Sequence, residues 1–414
     1  MDTKQNKGKA PCLILGLGHT GCDTLAALPF LKQYSEIDLL GIDTDSSDIQ
    51  NLKKHGIDAM LLGEEAVNGN GTSADSRQAV FILQDAQKEI EACLENRRLL
   101  IAIAALGGGT GAAVEEILKM ADGLQVSAVL LAVMPFAFES TERKASAQKL
   151  LSQTDVYCQA VVVVPNEKLL AHYQQQSAAD AFSSAAAYLA MAATGISTPF
   201  ASKNLFNVTP GILATLASVD GNPRCHFVQC ACETSEGMAE LAELIKQDPV
   251  YKELQGHAVV DRGIALLRVS RDCREEEMEF VLKNLSNILP ETNLDVAACL
   301  DEEMPFYCSL TLLLHCMQQT GDELEEDEIE DETPPVSENP PEETSAAPLI
   351  PNYPKGKVRK SGRKGNLQNT SQLTFEFPEY EVGIFAGDPE NMWNGVNVDI
   401  PTFRRMNEVI DKGT

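Results

Sequence analysis

Four glycines and a threonine crowd the segment Leu106-Gly107-Gly108-Gly109-Thr110-Gly111. Glycine lets a backbone come close to a ligand and turn its N–H groups inward. A helix starting just beyond adds partial positive charge, so the segment suits an anion, above all a nucleotide phosphate. Further glycines stand in Gly16-Leu17-Gly18-His19-Thr20-Gly21 and in Asn68-Gly69-Asn70-Gly71. Two more polar sets are Asp43-Thr44-Asp45 and Pro135-Phe136-Ala137-Phe138-Glu139, the latter with Arg143 one helical turn on. Each of the five directly follows a short apolar run.

Those runs have the length and composition of buried strands: residues 13–15, 37–42, 59–62, 99–104 and 126–134, with 160–164 as a sixth. Helical patterns separate them at 20–31, 76–94, 113–120 and 141–151. This β-α-β rhythm predicts a Rossmann-like parallel sheet covered on both faces, with its ligand beyond the carboxyl ends of the strands. An Ala-rich helix of about five turns follows from 178, without a polar face, as expected of a helix buried between two layers. A smaller α+β region then runs from 199 to 317, with strands at 226–228, 263–269, 294–299 and 307–314 and helices near 237–246 and 275–285. The expected fold class is α/β. Its parts are a flexible start (1–10), a nucleotide-binding domain (11–177), a central helix (178–198), a second domain (199–317), a disordered linker (318–372) and a tail (373–414).

The net charge of −28 on 414 residues argues against nucleic acid as partner, since no basic face is visible in the folded part. No apolar run reaches the ~20 residues that span a bilayer, and the polar N-terminus lacks a secretory signal, so a cytoplasmic protein is expected. Eleven cysteines show no metal-ligand spacing; Cys230 and Cys232 share a strand face and read as packed thiols. His226 and His315 read as core residues. Residues 322–343 are acidic and Pro-rich, and Lys355, Lys357, Arg359, Lys360, Arg363 and Lys364 form a basic stretch. Neither can bury enough apolar surface to fold. A coil of this length spans roughly 40 Å and would tether the apolar peptide Asp399-Ile400-Pro401-Thr402-Phe403-Arg404-Arg405, which suits docking within residues 396–406.

The five polar sets in this order resemble the tubulin superfamily, and within it the bacterial cell-division tubulin homologues of the FtsZ family. Val164-Pro165-Asn166-Glu167 and the terminal Asp-Ile-Pro-Thr-Phe-Arg-Arg resemble that family too. The resemblance implies GTP or GDP, with Mg2+, bound by Gly18, His19, Thr20, Gly21, Asp43, Gly69, Gly71, Gly107, Gly108, Gly109, Thr110, Gly111, Glu139, Arg143, Asn166 and Phe182. Glu139 would contact the ribose and Phe182 would stack on the base. It also implies head-to-tail filaments at the division site. Asp399, Ile400, Pro401, Phe403, Arg404 and Arg405 would dock on a membrane-tethering division protein.

The chain departs from the family where hydrolysis is completed. A loop of the form Asn-x-Asp-x-x-Asp reaches across the subunit contact there; here Asn207 remains, but Thr209 and Ile212 replace both acids. Hydrolysis should be weak, because nothing in that loop can act as base. The carboxylate that reads guanine from the central helix is also missing, since residues 185–187 are alanines. Three alternatives stay open. Asp220 could substitute for the lost acids in an ordinary GTPase. The chain could instead be a non-hydrolysing regulator that copolymerises with a true FtsZ. Gly16-x-Gly18-x-x-Gly21 with Asp43 also fits a dinucleotide fingerprint, hence an oxidoreductase.

Overall fold

Runs of aliphatic residues bounded by glycines and polar turns become six parallel strands: β1 (Cys12–Leu17), β2 (Ile37–Asp43), β3 (Asp58–Leu61), β4 (Leu99–Ala105), β5 (Ser127–Val133) and β6 (Ala160–Val164). A computed structural model of the chain describes residues 9–73, 75–136, 138–164, 178–217, 221–257 and 259–317, with 392–393 and 396–397. Five further strands, β7 (Lys203–Phe206), β8 (Arg224–Cys232), β9 (Val259–Val269), β10 (Asn293–Leu300) and β11 (Cys308–Met317), continue the sheet. The eleven strands lie in the order β3-β2-β1-β4-β5-β6-β8-β11-β9-β10-β7. Residues 392–393 pair antiparallel with 396–397 in a separate unit.

Register brings the chemistry to one rim. Leu17 at the end of β1 stands beside Ile42 on β2 and Ala104 on β4, and Ala105 stands beside Val133 on β5. The segments that follow these strands therefore leave the sheet side by side. Alternate residues feed two cores. Ile14, Ile101 and Ile103 pack on one face; Leu13, Leu15 and Leu100 pack on the other.

Around the strands lie α1 (Gly18–Ala26), α2 (Ser46–Lys54), α3 (Glu64–Val67), α4 (Ser76–Asp85), α5 (Gln87–Leu94), α6 (Val114–Gly123) and α7 (Thr141–Thr154). Next come the central α8 (Ala178–Ala201), α9 (Leu241–Gln247), α10 (Pro249–His257) and α11 (Glu275–Ile288). Leu189, Ala192, Ala193 and Ile196 bury α8 in the core shared with the strands on either side, as its missing polar face implies. A buried network joins the chain before β2 to the second half: Arg268 donates to Asp301 at 2.6 Å and the Tyr34 hydroxyl donates to the same carboxylate at 3.0 Å.

Four expectations are corrected. The first helix ends at Ala26 rather than 31, because Pro29 opens a 3-10 turn, Pro29–Gln33. The helix over 76–94 is two, broken at Ala86 (ψ 9°), so that Ile82 with Leu83 and Ile90 with Leu94 all reach the core. A 3-10 turn, Thr110–Ala113, separates the glycine loop from α6. α2, α3, β7 and α10, all short, fall where no element was expected.

Candidate functional site

Gly18 is where two loops meet. It adopts φ +70°, and a Cβ there would lie 2.9 Å from the backbone nitrogen of Gly111. Any side chain would both strain the backbone and push the loops apart. Gly108 (φ 135°) and Gly109 (φ 64°) also need glycine's freedom. Together with the start of α1, which begins at Gly18 itself, they line one cleft of about 550 Å³, and a helix N-terminus there suits an anion. Leu17 to Thr20, Asp43, Asp45, Asp48, residues 70–73, residues 108–111 and Arg143 line it. The third loop folds onto the second: Ser46 N–H donates to Gly69 O at 2.8 Å and Gly71 N–H to Thr44 O at 3.1 Å.

Asp43 anchors the floor. Its Oδ1 accepts from the Thr110 hydroxyl at 2.9 Å and from Thr44 N–H at 2.7 Å. Its Oδ2 is buried and has no partner among the described residues. Burial is the main cause that pushes its pKa up to about 6, with nearby Asp48 adding to it. Thr110 thus gives its hydroxyl proton to Asp43. Asp43 lines the cleft and is 3% exposed.

His19 sits at the rim between two carboxylates. Nδ1 lies 3.0 Å from Asp48 Oδ1 and Nε2 lies 3.2 Å from Asp23 Oδ2. The Asp48 hydrogen bond raises His19 to about 9, so the ring is charged at neutral pH; reciprocally, His19 holds Asp48 below the ordinary carboxylate range. Sequence reasoning missed Asp23 and Asp48. The i,i+4 spacing of His19 and Asp23 was the available signal for the first; nothing local marked the second.

A second cleft of about 690 Å³ opens beside the first, sharing His19, Thr20, Ala105 and Arg143 with it. Its walls are more apolar, with Phe138 stacked on Phe136 at 5.1 Å. Arg143 pairs with Glu139 at 2.8 Å and donates through Nε to Gly107 O, so the pair is both an i,i+4 ion pair and a wall of the cleft. Phe182 lies on α8, its side chain outside the described residues. Asn166, Asp220, the linker and the docking peptide also lie outside them.

Asn207 lies elsewhere. It follows β7 with φ 56° and donates through Nδ2 to Val296 O at 3.3 Å. Thr209 precedes the 3-10 turn Pro210–Thr215, which contains Ile212. From β1 to β7 there are eight strand spacings, roughly 38 Å at ~4.8 Å each. None of Asn207, Thr209 and Ile212 lines either cleft. His315 is fully buried, within 2.7 Å of Asp261, and His226 is half-buried.

Comparison with known proteins agrees with this architecture. A family model described as the Tubulin/FtsZ family, GTPase domain, matches residues 13–174. Cell division protein FtsZ 1 of Pyrococcus furiosus is 28% identical over 204 residues, covering 48% of this chain and 53% of the relative. The chain thus spans about half the length of the curated relatives it matches. Among solved structures, a tryptophan-to-tyrosine mutant of FtsZ from M. jannaschii superposes with a TM-score of 0.62 at 20% identity, over 75% of this chain and 92% of that one. CetZ2 from Haloferax volcanii, in a GTPgS-bound protofilament, gives 0.59 at 16% identity, over 75% and 94%.

Proposed function

We propose that the chain, whose residues 13–174 match the Tubulin/FtsZ family, GTPase domain, is a diverged member of that family and an FtsZ-like cell-division protein. It binds GTP or GDP and assembles head to tail into filaments in the cytoplasm, at the division site. The observation that carries this is the cleft itself, lined by glycine-rich loops that meet where Gly18 closes against Gly111 at the start of α1. The phosphates would occupy this polar cleft, and the base and ribose the apolar one beside it. Mg2+ fits the donor set: hard cations take oxygen ligands, and Asp43 Oδ2 is an oxygen without a partner. The ion would neutralise phosphate charge in a cleft that already holds several carboxylates.

Hydrolysis is slow in this reading. The loop that a neighbour would insert offers Asn207, Thr209 and Ile212, none of which is a base. An ordinary GTPase using Asp220, or a non-hydrolysing regulator that copolymerises with a true FtsZ, are the readings to separate from it. Phosphate release at high protein concentration does so: turnover orders of magnitude below an ordinary FtsZ supports the proposal, and comparable turnover refutes its hydrolytic part. Sedimentation alone and with a conventional FtsZ distinguishes self-assembly from copolymerisation. Docking of Ile400, Pro401 and Phe403 on a membrane-tethering partner is a separate proposal; deleting residues 396–414 should abolish recruitment while nucleotide binding stays intact.

A further inference from the structure

The geometry points to Asp23 as the carboxylate that reads the base, accepting hydrogen bonds from N1–H and N2–H2 of guanine. This rests on the nucleotide reading and deepens it. The apolar cleft has the size for a purine, and its lining includes Phe136 and Phe138, stacked on each other, and Ala185 and Ala186 of α8. An apolar slot holds any base, so selection needs a polar group within it. Among the described residues two acids line the cleft, Glu139 and Asp23.

Glu139 is committed. Its Oε1 accepts from Phe136 N–H at 2.9 Å and its Oε2 from Arg143 at 2.8 Å. Asp23 is half free. Its Oδ2 accepts from His19 Nε2 at 3.2 Å, while its Oδ1 has no partner among the described residues. His19 is held from behind by both oxygens of Asp48, at 3.0 and 3.1 Å. The imidazole therefore links Asp23 to Asp48, and Asp23, on α1, is an acid lining the cleft where α8 offers none among its described lining residues.

The chemistry discriminates. Guanine offers two donors side by side, a match for an ionised carboxylate and its charge-assisted hydrogen bonds. Adenine turns the lone pair of N1 toward the acid. Inosine lacks the 2-amino donor, and xanthine carries an acceptor in its place. An amide at position 23 could accept from N1–H of xanthine and donate to its 2-oxo group.

The test is calorimetric titration of the full chain with GDP, IDP, XDP and ADP, for the wild type and for Asp23→Asn, with thermal melting as the control for folding. The wild type should bind GDP roughly tenfold tighter than IDP and about a hundredfold tighter than XDP or ADP. Asp23→Asn should lose that preference for GDP over XDP or reverse it. An unchanged GDP-to-XDP ratio in a folded Asp23→Asn overturns the proposal and leaves nucleotide binding standing. So does a wild type that binds IDP as well as GDP, a comparison that needs no variant. A wild type that binds none of the four overturns the nucleotide reading, and this proposal with it.

Discussion

At the scale of single residues, Asp43 and Gly18 carry the most. Asp43→Ala would leave Thr44 N–H without its acceptor and the Thr110 hydroxyl with Thr44 Oγ1 alone. Each unpaired buried donor costs about 1–3 kcal/mol, so a chemical-denaturation midpoint should fall and the loop at Gly109 should loosen. Gly18→Ala should abolish nucleotide binding through the clash with Gly111 while the fold persists. Calorimetric titration with GDP checks it, and retained affinity would contradict the loop contact. The glycine loops were readable in the sequence because no other residue tolerates φ +70° against a neighbouring backbone. The bond between Asp43 and Thr110 was not, because the partners stand 67 residues apart and only strand register unites them. Asp23 escaped notice because an acid on a helix normally marks a solvated face.

Elements explain how those residues are held. Glu277 caps the start of α11: Arg274 N–H donates to Glu277 Oε2 at 2.8 Å, and the Tyr307 hydroxyl donates to the same oxygen at 2.8 Å. The Arg274 side chain is the leading cause holding Glu277 well below the ordinary carboxylate range. A depressed folded-state pKa contributes stability above the unfolded value, ~4.3, and that stability is lost as pH falls through the folded value. Glu277→Gln should therefore lower the melting temperature at pH 7 and flatten the acid limb below pH ~4.3. Equal shifts at pH 7 and pH 3 would contradict this. The Arg268–Asp301 pair is buried on both sides. Asp301→Ala strands Arg268 and should cost about 3–5 kcal/mol, read from urea unfolding. The break at Ala86 could not be foreseen, since alanine is the best helix former and packing on both sides of the turn overrides it. Pro29 as a helix stop could have been, from its missing N–H.

For the whole molecule, the opposed ends matter most. The cleft lies beyond the carboxyl ends of β1, β2 and β4, and Asn207 follows β7 at the far edge of the sheet, eight strand spacings from β1, so in the proposed filament the two would act together across a contact between copies. Restoring acids at the far end with Thr209→Asp and Ile212→Asp should raise phosphate release in assembled protein. The same change should have no effect in dilute monomer. The alternation of strands and helices made the parallel half legible, while the mixed second half depended on long-range pairing that local pattern does not encode. The most direct test of the central claim is acid release of bound nucleotide from the purified chain, followed by chromatography and equilibrium binding of GTP. A guanine nucleotide in the extract, or saturable GTP uptake by emptied protein, is the predicted result. An empty chain that takes up no purine nucleotide would contradict the account.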